Sequence, residues 1–178
     1  MSRSLNIFGL IALTLILAAA WIFYFLKEDV PKLYINELMA NNLSCCPDTT
    51  AGRPEFDDWI EIYNAGRKPV DIGGMYFSQH RDSPLGYRIP NTNSSATTIQ
   101  PGGFLLVWAD GDIDQGELHL EFKLSHRGEF IGLFYNDGRT IDTLTFKQQN
   151  ENISYGRAAD GGNNWKEYAL PTPGKSNQ

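Results

Sequence analysis

Asp57-Asp58-Trp59-Ile60-Glu61-Ile62-Tyr63-Asn64, the stretch DDWIEIYN, crowds three acids around a tryptophan inside a run that alternates like a β-strand. An extended chain turns successive side chains to opposite faces. Trp59, Glu61 and Tyr63 therefore share one side, and Ile60 and Ile62 share the other. The isoleucines suit the interior of a two-layered sheet. Glu61 is then expected on the outer face or at an edge, and Asp57 and Asp58 where the strand begins. In this reading the acids fix strand ends and hydrogen-bond neighbouring backbone. The competing reading, a catalytic carboxylate pair, finds no partner nucleophile or electrophile in the sequence.

Runs of the same kind extend in both directions. Leu33–Met39, Val70–Ile72, Met75–His80, Tyr87–Ile89, Phe104–Ala109, Leu118–Leu124, Glu129–Tyr135, Thr140–Phe146 and Ile153–Tyr155 read as short strands. Turn residues separate them, including Gly73-Gly74, Pro101-Gly102-Gly103, Asp110-Gly111 and Asp160-Gly161-Gly162. With 17 Gly, 9 Pro and 22 aromatic residues, this spacing predicts an all-β sandwich or barrel. Asn136–Arg139 reads as a hairpin turn in which Asp137-Gly138 supplies the positive φ angles. The connections Ala40–Asp57 and Pro90–Thr98 are expected to be loops, and the first is long enough to be functional. About 145 residues can bury a core without a disulfide framework.

The N-terminus differs in kind. Ile7 to Leu26 runs 20 residues without a charge. As a helix it would be roughly 30 Å long, the thickness of a bilayer's hydrocarbon core. Residues 7–26 are thus expected to be a transmembrane anchor, following a short tail 1–6 and preceding a linker 27–32 and a folded domain 33–176. A cleaved signal peptide ending at Ala18-Ala19-Ala20 is the alternative, but cleavage there would leave the apolar WIFYFL on the mature chain. Both readings put the domain outside the cytoplasm: single-pass and membrane-held in the first, secreted in the second. Arg3 is the one charged residue before position 27, so the remainder carries 14 Lys+Arg against 21 Asp+Glu, a net −7. A body that acidic repels phosphate backbones, which opposes nucleic-acid binding.

The order of segments resembles the lamin tail domain family. The matching pieces are Ile35–Glu37 (INE), Asp58–Asn64, Val70–Ser78 (VDIGGMYFS), Tyr87–Pro90 (YRIP) and Ile99–Gly111 (IQPGGFLLVWADG). They continue through Leu118–Phe134, Ile153–Arg157 and the terminal PTPG at Pro171–Gly174. The resemblance implies an immunoglobulin-like β-sandwich that binds or tethers and does no catalysis. One departure is Tyr76, where the family commonly has tryptophan after the Gly-Gly turn. Related prokaryotic copies look like adhesion modules, often beside secreted hydrolases. The alternative function is accordingly an accessory domain assisting a hydrolase or nuclease.

Motifs for chemistry are sparse. His80, His119 and His126 stand in no zinc spacing, and neither a nucleophile elbow nor a dinucleotide-binding glycine pattern occurs. No cofactor is expected, with one exception: Asp110, Asp112 and Asp114, with Glu121 at position 12, reproduce the carboxylate spacing of a calcium loop. Gln115 stands where that loop needs glycine, so a solvated acidic loop is the competing reading. Cys45 and Cys46 are adjacent, which leaves three options: a vicinal bridge, an inter-chain bridge joining two copies, or free thiols. A protein or envelope polymer is the expected partner, met on Ala40–Asp57 and Pro90–Thr98, since a rigid sandwich presents recognition on its loops.

Overall fold

The computed structural model describes residues 9–18, 21 and 29–177. Residues 9–18 are helical; the rest of the expected anchor 7–26, apart from Trp21, lies outside the described residues. Among the described residues no helix is long and apolar enough to cross a membrane.

The domain is all-β and antiparallel. One sheet has five strands: β11 (Trp165–Tyr168), β10 (Ser154–Arg157), β1 (Leu33–Met39), β2 (Trp59–Asn64) and β7 (Phe104–Trp108), in that order. The other has four: β5 (Tyr87–Arg88), β4 (Tyr76–Ser78), β8 (Phe130–Phe134) and β9 (Thr140–Thr145). A two-stranded ribbon, β3 (Val70–Asp71) with β6 (Thr98–Ile99), completes it. Leu33, Ile35, Ile60, Ile62 and Val107 from the first sheet meet Phe77, Ile131, Leu133 and Leu144 from the second in one buried core. That is the two-layer packing of an immunoglobulin-like sandwich.

The opening stretch is β2, central in its sheet, and its alternation is as expected: Ile60 and Ile62 enter the core. Its last residue has a second task. Asn64, fully buried, donates from Nδ2 to the carbonyls of Lys68 and Ile99, both at 2.9 Å, and its Oδ1 accepts from Gly66 N. One side chain thus closes the turn after β2 and fastens it to β6.

Glu61 departs from expectation. It is fully buried, not on an open face, because the chain beyond β11 folds over that side of the sheet. Gly174 N donates to Glu61 Oε2 at 2.5 Å, while Thr172 N and Oγ1 donate to its cross-strand neighbour Glu37. Asn177 reaches the carbonyls of Asn36 and Arg157. The terminal PTPG is therefore a clasp over two buried carboxylates. Burial pushes the Glu61 carboxyl up to about 8, with Glu37 and Asp160 adding to the rise against the lowering effect of Gly174 N–H and Asn36.

Three other expectations change. Leu118–Leu124 forms no strand, only isolated bridges at His119 and Lys123. Pro90–Thr98 contains a one-turn helix, Ser94–Thr97. The β8–β9 hairpin needs positive φ at Gly138 alone (φ 83°), and Tyr135 N donates to Arg139 O across a bulged turn. Gly128, which starts β8's approach, has φ 96°, and a Cβ there would lie 2.6 Å from Phe146 O and 2.7 Å from the Lys147 carbonyl carbon. Gly128→Ala is therefore expected to cost about 2–3 kcal/mol, read as a lower urea midpoint at unchanged m-value. A loss near zero would show that this approach relaxes freely.

Candidate functional site

The long connection between β1 and β2 is built, not loose. Asn42 is buried and donates from its backbone N to Asp58 Oδ1 (3.0 Å) and from Nδ2 to Asp57 O (2.8 Å), while its Oδ1 accepts from Cys45 N. Asn152, held at φ 57°, accepts from Leu43 N and Ser44 N. Cys45 and Cys46 are bonded to each other, their Cα atoms 3.8 Å apart. Asp48 and Glu55 then pair their backbones in both directions at 2.8 Å, closing a small ring of chain. Asp58 does what the sequence reading asked of it, holding neighbouring backbone. Burial raises its carboxyl to about 6, against the Asn42 N–H that stabilises the charged form. The result is a ledge on which Leu43 (58% exposed) and Phe56 (44%) face solvent.

Beside this ledge three ligand-type side chains converge that lie far apart in sequence. Asp48, Asp110 and His119 are all buried, and one ligand atom from each lies within 4.8 Å of the others. His119 Nδ1 is 2.6 Å from Asp110 Oδ2, and His119 Nε2 is 3.8 Å from Asp48 Oδ2. Two features position them. The backbone bridge of His119 to Trp108 holds that residue beside β7, and the Asp48–Glu55 bridge closes the loop that brings Asp48 to it. Asp57, just before β2, is raised by burial first and then by the negative charges of Asp110, Glu55 and Asp48. The corner is thus strongly electronegative.

The calcium spacing does not gather its four residues. Asp110 turns to His119 and caps its own turn by accepting from Asp112 N. Asp112 is exposed and accepts from Gln115 Nε2, Asp114 is exposed on the short turn Ile113–Gln115, and Glu121 is exposed beyond it. Among the described residues, the grouping that forms omits Asp112, Asp114 and Glu121 and recruits Asp48 and His119. At position 6 of the motif, where a calcium loop needs glycine for its sharp turn, Gln115 instead ends a 3₁₀ turn, Ile113–Gln115, flanked by the exposed Asp112 and carrying the exposed Asp114. His119 lies nine residues beyond Asp110, outside the zinc and calcium spacings the sequence was read for, so no local signal marked the pair.

At the opposite, open end of the domain, where residues 29–32 enter, a hollow of about 740 Å³ is bordered by Lys32, Arg67, Lys68, Val70, Met75 and Tyr135. The acids Asp29 and Asp71 line it as well, so three cations, two acids and apolar surface share it.

No curated protein matches the sequence. The family model described as Lamin Tail Domain matches residues 27–148, from the linker through β9. Strands β10 and β11, outside the matched span, complete the same five-stranded sheet, β10 pairing on β1 and β11 on β10. Sandwich architecture, the central position of β2 and this match agree: the chain belongs to the lamin tail domain family, a group of immunoglobulin-like, generally non-catalytic modules.

Proposed function

We propose that the protein is a non-enzymatic tethering module, held in a membrane by its N-terminal helix and presenting the sandwich on the extracytoplasmic side. The observation that carries this reading is the state of residues 9–18. Leu10, Ile11, Leu13, Leu15, Ile16 and Leu17 are each more than half exposed, with no surface of the domain covering them. A run of uncovered apolar side chains demands an apolar surrounding, and lipid supplies it. Lys32, Arg67 and Lys68 border the hollow where residues 29–32 enter and outnumber the acids Asp29 and Asp71 there, a balance that favours lipid phosphates. The partner is met at the far ledge, through Leu43 and Phe56, because apolar side chains on an otherwise well-anchored loop are what recognition uses.

The expected result is that the full chain stays with membranes after an alkaline carbonate wash, and that protease added to intact cells with a permeable outer surface removes the domain. Replacing Leu13, Ile16 and Leu17 with asparagine should release the protein from the washed membranes. A wild-type chain that washes off, or whose domain is cleaved only after the cytoplasm is opened, would overturn the reading.

A further inference from the structure

We infer that Asp48 and His119 bind a transition-metal dication of the zinc type, with Asp110 orienting the imidazole. The two carboxylates treat His119 differently. Asp110 Oδ2, at 2.6 Å from Nδ1, makes a short hydrogen bond that fixes the tautomer with its proton on Nδ1. This leaves the Nε2 lone pair facing Asp48. Asp48 Oδ2 lies 3.8 Å away, too far for a hydrogen bond, and has no hydrogen-bond partner although it is buried. Asp48 Oδ1, by contrast, is fully used, accepting from Thr50 N at 2.9 Å and Thr50 Oγ1 at 2.6 Å. A lone pair on nitrogen and an unpartnered carboxylate oxygen therefore face each other across a gap.

A buried acceptor facing another acceptor is costly unless something positive stands between them. Zinc–nitrogen and zinc–oxygen bonds of about 2.0–2.2 Å would span roughly 3.4–3.9 Å between ligand atoms, depending on the angle. The observed separation falls in that range. Imidazole nitrogen with one carboxylate suits zinc better than calcium, which takes six to eight oxygens. A ligating histidine that donates its other N–H to a carboxylate is the usual outer-shell arrangement, and Asp110 supplies it. Remaining coordination positions fall to water and to Gln115. Its Oε1 is also buried without a partner, and it lines, together with His119 and Thr50, a cavity of about 180 Å³. The ion would staple the 40–57 ledge to the chain after β7, so the partner-facing loop would owe its shape to metal.

The test uses the full chain in detergent micelles, stripped of metal by chelator and titrated with Zn²⁺ by calorimetry, with Co²⁺ as a visible-absorption probe. We expect saturable 1:1 binding and a d–d band of low-coordinate cobalt with nitrogen and oxygen ligands. Binding should survive His80→Gln with His126→Gln, which leaves His119 as the one imidazole and disturbs no buried group of the site. Asp48→Asn and His119→Gln should each weaken binding tenfold or more, and Asp110→Asn about tenfold. Asp114→Asn with Glu121→Gln, both exposed and outside the cluster, should change nothing. Absence of saturable Zn²⁺ binding up to 1 mM, or loss of binding in the His80/His126 variant, overturns the assignment. So does unchanged binding in a folded Asp48→Asn or His119→Gln protein.

Discussion

Replacing Arg157 by alanine is expected to cost about 3–5 kcal/mol of folding stability, enough to unfold an appreciable fraction of a domain of ordinary stability. The residue is 5% exposed, and each of its three guanidinium nitrogens donates to a partner from a different place. Nε donates to Ile35 O on β1 (2.8 Å), Nη1 to Gly162 O in the turn before β11, and Nη2 to Asp142 Oδ2 on β9 (2.7 Å). Asp142 Oδ2 also accepts from Ile35 N at 2.8 Å, so the pair bolts the two sheets together along one edge. The guanidinium lies over the rings of Trp165 (4.7 Å) and Tyr34 (5.1 Å), adding apolar cover and a cation–π contribution. Alanine would take a donor from three acceptors, one of them a largely buried carboxylate that would keep only the Ile35 N–H and lose its charge partner. Lysine keeps the charge but loses the planar fork, so Arg157→Lys should recover less than half of the loss. Urea unfolding at neutral pH measures both. The double variant Arg157→Met with Asp142→Asn should be less damaged than the sum of its single variants, because no buried charge is then left alone. An Arg157→Ala loss below about 1 kcal/mol, or strict additivity in the cycle, would mean that the bolt is ornamental.

What the sequence showed of this architecture was whatever depends on neighbours within a few residues. β1 and β2 were visible because period-two alternation is a local property, and β7, β8 and β9 as short β-type runs between turn residues; the Ile60/Ile62 face followed from the alternation directly. Leu118–Leu124 alternates equally well, and Leu120 and Leu124 are indeed buried, yet it pairs only at His119 and Lys123. Alternation reports which side is buried; whether a partner strand runs alongside is a separate, tertiary fact. β11 escaped notice because Trp165-Lys-Glu-Tyr168 is a short edge strand whose middle two residues are exposed and charged. The fate of Glu61 was invisible for a stronger reason. Its cover comes from Gly174, 113 residues later, and no window around DDWIEIYN contains that information. Asp48 and His119 are likewise separated by 71 positions, and their meeting depends on how the β1–β2 connection folds back. Asp110, by contrast, was singled out from its spacing. Of that spacing only Asp110 stands in the cluster with Asp48 and His119, because spacing within one loop carries no information about a side chain brought in by another.

Raising the pH from 4.5 to 8.5 is expected to destabilise the domain through Glu61, which runs against the usual behaviour of salt-bridged carboxylates. In the unfolded chain this carboxyl titrates near its ordinary 4.5; in the folded protein it titrates at about 8. Between those values the native state keeps a proton that the unfolded chain has released, so it binds more protons and stability falls as pH rises. The contribution is intact below about 4.5 and gone just above 8, with a total on the order of 3–5 kcal/mol. Asp58, raised from 3.8 to about 6, adds a smaller loss of the same sign within the lower part of that window. Desolvation dominates at Glu61, and the neighbouring acids Glu37 and Asp160 reinforce it against the Gly174 N–H and Asn36, which favour the charged form. Glu61→Gln separates this group from the rest. Glutamine keeps an oxygen for Gly174 N and cannot ionise, so the variant should match the wild type near pH 4.5 and exceed it by a few kcal/mol at pH 8.5. The first structural consequence should be local: the Thr172 and Gly174 amides, which donate to Glu37 and Glu61, should exchange with solvent faster at pH 8.5 after correction for intrinsic rates, before the core strands do. The decisive quantity is the stability difference between wild type and Glu61→Gln across that range. If it stays constant with pH, Glu61 does not hold its proton in the fold, and the carboxylate pair under the clasp is stabilised by contacts other than those described.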